Sequence, residues 1–211
     1  MKIDDIERLV NEVGGWLTNR EGQTLYQLAK NCSGQGTIVE IGSWLGKSTI
    51  WLGQGAKAND RSLKIYAIDP HTGSSEHHRW FGRVWTFDKF KENIDRANLK
   101  EIVIPLIKTS AEAAGEFNQP VELIFIDGAH EYKLVKLDFE LWFSKLIDGG
   151  IIVLHDTAGW ASWPGPVKVA KEFIYRSSHF KNIRIIDSMT IAEKTFRNSF
   201  WDKLHNRYLL L

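Results

Sequence analysis

Six short runs rich in Val, Ile and Leu alternate with helix-patterned segments along most of the chain, and no other feature restricts the fold as strongly. The runs are TIVEI (37–41), KIYAI (64–68), IVIPLI (102–107), VELIFI (121–126), GIIVLH (150–155) and NIRIID (182–187). They are mostly continuous apolar stretches rather than apolar–polar alternations, which predicts strands covered on both faces. Apolar residues recur at helical spacing between them, over 47–57, 86–98, 131–146 and 166–177. Strand–helix alternation implies right-handed crossovers, and therefore an α/β, doubly wound, mostly parallel sheet. Two short helices are expected ahead of the first strand, in DDIERLVNEVGGWL and GQTLYQLAKN. No repeat or linker divides the chain. The expectation is one domain over 1–211, with a helical segment at 1–33 and a core at 34–211.

Composition narrows the setting. The chain has 211 residues, 43% apolar and 25% charged, the balance of a soluble globular protein. Lys and Arg number 27 against 26 Asp and Glu, and no basic run occurs. That argues against nucleic acid or an anionic membrane as the main partner. No stretch is apolar for long enough to span a bilayer. The lone Cys32 leaves no disulfide within the chain and fits a reducing cytoplasm.

Ligands of doubly wound sheets bind beyond the carboxyl ends of the strands, so each loop after a strand is a candidate site. The first runs Glu40-Ile41-Gly42-Ser43-Trp44-Leu45-Gly46-Lys47-Ser48. Its glycines permit a tight turn, and the helix that follows directs free N–H groups at an anion. Trp44 stands where a dinucleotide fingerprint needs its middle glycine. Three residues separate Gly42 and Gly46 where a Walker loop needs four. The second loop begins at Asp69, 27 residues beyond Gly42, and a carboxylate there suits ribose hydroxyls. Asp-Pro is also an ordinary turn. Taken with the first loop, Asp69 points to a nucleoside ligand.

VEIGSWLGKST followed by AIDP resembles motifs I and II of class I S-adenosylmethionine-dependent methyltransferases, with their Rossmann-like fold. The form E-x-G-x-x-x-G-x-S is similar to that of the catechol and caffeoyl-CoA type of metal-dependent O-methyltransferase. The run FIDGAHEYKLVKLDFELWFSKLIDGGIIVLHDT resembles the macrocin O-methyltransferase and cephalosporin hydroxylase-like branch. The similarity covers roughly Gly22 to Glu193. It implies that Glu40 and Gly42 face the methionine part of the cofactor, with Ser43 and Gly46 completing that turn. It implies Ser48 at the cofactor carboxylate, Asp69 at the ribose and Ser110 near the adenine. Ser110 reads equally well as a helix N-cap.

Strands four and five end at Asp127 and at His155-Asp156, neighbouring tips in a sheet of this kind. Two carboxylates there can hold a hard divalent cation, which would lower the pKa of an acceptor hydroxyl. The resemblance implies a metal on Asp127 and Asp156, with Asp127 also at the cofactor edge. His155 replaces the acid of the macrocin-type pattern, and Thr157 the Asn of the catechol type. Imidazole as a third ligand suits manganese, iron or zinc better than magnesium. His130, three residues after Asp127, stands where the catechol type carries its lysine base, and its imidazole suits that task at neutral pH.

Trp80 and Trp85, after strand two, and Trp160 and Trp163, after strand five, are expected near an acceptor pocket, where indole faces stack on sugars or flat rings. Trp16, Trp44, Trp51, Trp142 and Trp201 read as packing residues. His71, His77 and His78 take no assignment.

The expected activity is O-methylation of a small hydroxylated acceptor, a sugar or glycosylated metabolite. S-adenosylmethionine and magnesium or manganese are the expected cofactors, and a homo-oligomer is compatible. A nicotinamide-dependent oxidoreductase and a non-catalytic cofactor-binding protein are the alternatives.

Overall fold

A computed structural model describes residues 1–209. Seven strands form one sheet in the order β3-β2-β1-β4-β5-β7-β6. They are β1 (Thr37–Ile41), β2 (Ile65–Ile68), β3 (Val103–Leu106), β4 (Val121–Ile126), β5 (Leu146–Leu154), β6 (Phe180–Ile186) and β7 (Met189–Lys194). The first five run parallel, and β7 lies antiparallel between β5 and β6. Every residue of β1 is buried, as a central strand covered on both faces requires. The expected doubly wound, mostly parallel sheet is therefore present.

The helices are α1 (Ile3–Asn11), α2 (Asn19–Lys30), α3 (Lys47–Lys57), α4 (Ser75–Phe81), α5 (Phe87–Arg96), α6 (Ser110–Glu116), α7 (Tyr132–Phe143), α8 (Pro164–Val169) and α9 (Phe200–Tyr208). A π-helical stretch, Ala170–Tyr175, prolongs α8. Among the described residues no helix is long and apolar enough to cross a membrane.

Two apolar layers cover the sheet. One joins Ile6 and Val10 of α1 and Leu25 of α2 to Ile38, Trp51 and Phe125. The other joins Val39, Ile124 and Ile152 to Phe139 and Trp142 of α7. The N-terminal helices thus belong to the main core. Gly22 allows α2 to approach α3, since a Cβ there would lie 2.1 Å from Trp51 Nε1.

The structure departs from the sequence reading in three places. The 131–146 helix stops at Phe143, and β5 starts at Leu146. A hairpin closes the sheet edge: Ile186 pairs with Met189 across the two-residue turn Asp187-Ser188. Asp187 takes a left-handed φ of 50°, the backbone such hairpin turns demand. Helices α4 and α9 occupy segments for which the sequence reading expects no helix.

Candidate active site

Strand register fixes the site. Ile41 pairs with Ile68 on one side and Ile126 on the other, and Ile126 pairs with Leu154. The residues that follow, Asp69, Gly42, Asp127 and His155, therefore emerge side by side at the strand tips. Backbone bonds continue the ladder past the strand ends, from Gly42 N–H to Ile68 O at 2.9 Å and from Asp127 N–H to Ile41 O at 2.8 Å. Beyond these tips lies a cavity of about 1090 Å³.

The glycine turn is built for close approach. Gly42 has φ 84°, and a Cβ on it would lie 2.2 Å from the Asp127 carbonyl oxygen. Trp44, at φ 46°, and Gly46, at φ 91°, complete the turn. Gly46 is the N-cap of α3 and supplies no side-chain bond to the first amides, so Lys47 and Ser48 bring an uncapped helix start to the cavity wall. Such a terminus suits an anionic group. Beneath it Glu40 is fully buried. Thr49 Oγ donates to its Oε2 at 2.5 Å, whereas its Oε1 and the Ser43 Oγ have no hydrogen-bond partner among the described residues. Burial pushes the Glu40 carboxyl up to about 8, against the pull of Ser48 and Thr49. Buried polar atoms left unpartnered beside a cavity fit a polar ligand such as the amino-acid end of S-adenosylmethionine.

Asp69 serves the turn directly. Its Oδ2 accepts the N–H groups of Ser43 and Trp44 at 3.0 and 2.8 Å, and its Oδ1 accepts that of His71 at 2.6 Å. It lies behind the cavity lining, as Glu40 does. Ser110 also stands away from the cavity. Thr109 caps α6 instead, and the Ser110 hydroxyl accepts from Trp142 Nε1 at 2.8 Å.

Asp127, His155 and Asp156 converge, with ligand atoms within 4.8 Å of one another. His155 Nδ1 lies 3.0 Å from Asp127 Oδ1 and 3.3 Å from Asp156 Oδ1. A third carboxylate, absent from the sequence reading, joins them: Glu21 of α2 places Oε2 3.5 Å from His155 Nε2. Burial opposes charge on the His155 ring, but the three carboxylates outweigh it and hold the imidazole well above its ordinary range. Burial would likewise raise Glu21, yet His155, Ser188 and Thr18 bring its carboxyl down to about 2. Burial and Asp156 push Asp127 up despite His155. Three carboxylates around one imidazole leave surplus negative charge, which fits a divalent cation.

His130 enters from the loop before α7. Its Nε2 lies 3.0 Å from Asp156 Oδ2, and its ring stacks on Trp163 at 4.4 Å. Gly165 makes this possible, since a Cβ there would stand 2.0 Å from the His130 carbonyl oxygen. Burial opposes ionisation of Asp156, but His130 and His155 overcome it and hold its carboxyl at about 2. Asp156 itself is in the left-handed region, at φ 57°.

Aromatic walls flank this centre. Trp16, 63% exposed, and Trp44 line the cavity with His77 and Trp80, so the packing roles expected for those two tryptophans are not what they do. The Trp44 ring stacks on His77 at 4.0 Å. Trp160 and Trp163 form the opposite rim. Trp51 and Trp142 are core residues, as expected, whereas Trp201 is 73% exposed. Trp85 lies outside the lining and donates to Asp88 at 3.0 Å. His71 is buried, with Nδ1 2.8 Å from Thr86 Oγ, and His78 Nδ1 lies 3.1 Å from the Gly82 carbonyl.

A family model described as "Methyltransferase domain" matches residues 39–157. The uncharacterized protein y4gI of Sinorhizobium fredii is 31% identical over 121 residues, 57% of this chain and 13% of that protein's length. Two solved structures share the fold at low identity. The O-methyltransferase TomG of Streptomyces achromogenes, in complex with S-adenosylmethionine, is 16% identical with a TM-score of 0.63, over 92% of this chain and 89% of its own. An O-methyltransferase of Bacillus cereus, in complex with S-adenosylhomocysteine, is 19% identical with a TM-score of 0.62, over 91% and 90%.

Proposed function

This chain belongs to the methyltransferase-domain family, and from that premise we propose that it is an S-adenosylmethionine-dependent O-methyltransferase acting on a small hydroxylated acceptor. The observation that carries the reading is the His130–Asp156 pair, 3.0 Å apart, on the cavity that the Gly42 turn also lines. The cofactor supplies an electrophilic methyl group on a sulfonium sulfur. Ser43 binds its amino-acid end with its unpartnered hydroxyl, backed by the buried Glu40, and the start of α3 at Lys47 and Ser48 receives its carboxylate. Asp69 holds the turn in shape through Ser43 and Trp44, and so sets the wall against which the ribose would lie.

On the acceptor side, His130 takes the hydroxyl proton, so that the oxygen attacks as an alkoxide. Asp156 orients the imidazole and stabilises it once protonated. Trp16 and Trp80 on one wall, and Trp160 and Trp163 on the other, present ring faces to a sugar or flat acceptor and shed water around it. Asp127, His155 and Asp156 are the residues that would hold a divalent ion, whose Lewis acidity would lower the pKa of the hydroxyl.

Calorimetry of S-adenosylmethionine binding, followed by a screen of glycosides and phenols for methyl transfer, tests the reading. Binding of the cofactor and formation of a methyl ether are expected. A folded protein without affinity for the cofactor overturns it.

A further inference from the structure

Glu21 lies outside the residues matched by the family model, on a helix ahead of the first strand, yet it reaches the centre of the site. It is 1% exposed, and its carboxylate accepts three hydrogen bonds and pairs with His155. Oε1 accepts the Ser188 N–H at 2.9 Å and the Ser188 Oγ–H at 2.7 Å. Oε2 accepts the Thr18 N–H at 2.9 Å and faces His155 Nε2 at 3.5 Å. The opposite ring nitrogen, Nδ1, faces Asp127 and Asp156.

A neutral imidazole carries its proton on one nitrogen and a lone pair on the other. An ion held at one nitrogen leaves the proton on the other, and a carboxylate beside that second nitrogen favours the arrangement. A capping box needs only an acceptor at this position and is equally served by Gln. A buried charge aimed at the back of a ring is more than the cap requires.

We propose that Glu21 is a positioning residue that fixes His155 in its Nε2–H tautomer, so that Nδ1 joins Asp127 and Asp156 around a divalent ion. The proposal rests on the reading that this cluster holds such an ion. Glu21 then acts through His155 and touches neither cofactor nor acceptor. The Thr18 cap and the Ser188 bonds hold its carboxylate in place.

Manganese titration of the apoprotein by electron paramagnetic resonance compares the wild type with Glu21→Gln, which removes the charge and keeps one acceptor oxygen. Ser188→Ala, which loosens the same carboxylate but keeps its charge, is expected to bind manganese nearly as the wild type does. Loss of an outer carboxylate of this kind weakens ion binding by about 10–100-fold, and that loss is expected here. A folded Glu21→Gln with undiminished manganese affinity overturns the assignment. Should the variant not fold, long-range ¹H–¹⁵N spectra of the zinc-loaded wild type decide the same question. Ligation through Nδ1 with a proton on Nε2 is expected. A ring bound through Nε2, or left unbound while zinc occupies the aspartates, overturns it. A wild type that takes up neither manganese nor zinc removes the ion itself, and the Glu21 role with it, while leaving cofactor binding intact.

Discussion

Glu21 and Ser188 stand 167 positions apart and meet at two points, with both the N–H and the hydroxyl of Ser188 donating to one carboxylate oxygen. The clasp extends along the hairpin turn. Asp187 accepts the Thr18 hydroxyl at 2.8 Å and pairs with Arg20 at 2.9 Å. The entrance to α2 and the β6–β7 hairpin thus grip each other beside the strand tips, and both line the cavity. Neither lies within the family-matched residues 39–157. The matched region carries the glycine turn and the strand-tip acids, and its flanks wall the cavity.

Replacing Asp69 by Ala removes the acceptor of three backbone N–H groups. These bonds hold the turn that would receive the cofactor, and hydrogen bonds to a charged group contribute about 1.5–3 kcal/mol, so loosening the turn should lower S-adenosylmethionine affinity by up to about ten- to hundred-fold. Calorimetry measures the affinity, and urea unfolding separates loss of the site from loss of the fold. Unchanged affinity in the folded variant removes Asp69 from the site.

His130→Ala should lower kcat by about 10²–10⁴, the usual contribution of a positioned base, with cofactor affinity nearly intact. The wild-type rate should also fall towards acid as the imidazole protonates, and that limb should vanish in the variant. A variant that keeps most of its kcat ends the base assignment.

The Glu40 carboxyl, raised by burial to about 8 from 4.5, gives a stability effect of definite sign. Between those values the folded chain holds a proton that the unfolded chain has released. Stability is therefore greatest at the acid end of this window and declines as pH rises through it, by up to about 1.4 kcal/mol per pH unit. Urea denaturation of the apoprotein from pH 5 to 8 should show the decline, and Glu40→Gln should flatten it. An equal slope in the two proteins contradicts the buried neutral acid.

Exhaustive EDTA treatment should abolish methyl transfer, and added manganese or magnesium should restore it, since Asp127 and Asp156 converge with His155 at the strand tips. Full activity after chelation would leave those carboxylates as orienting groups for His130 and His155.

Much of this architecture is legible in the chain because buried parallel strands declare themselves as unbroken apolar runs. Once β1, β4 and β5 are recognised as neighbours, register alone brings Gly42, Asp127 and His155 into line. Glu21 escaped for a physical reason. Thr18-x-x-Glu21 is a capping box, and a local role that accounts fully for a residue conceals a second, tertiary one. Trp16 and Trp44 were misread because indole size suggests burial, whereas a cavity wall offers the same apolar contact. The Asp187-Ser188 turn leaves no signal at all until strand β7 is seen beside β5. The grip of Asp69 on the neighbouring backbone depends on where the two loops meet in space.

The contact between Gly42 and the Asp127 carbonyl, too tight for even a methyl group, makes one seam of two loops. A guest that pulls the glycine turn by a fraction of an ångström drags the carboxylate-bearing tip with it. On the proposed function, cofactor and acceptor would then rest on loops that shift as one piece. Thermodynamic linkage makes the traffic reciprocal: whatever tightens one guest tightens the other by the same factor.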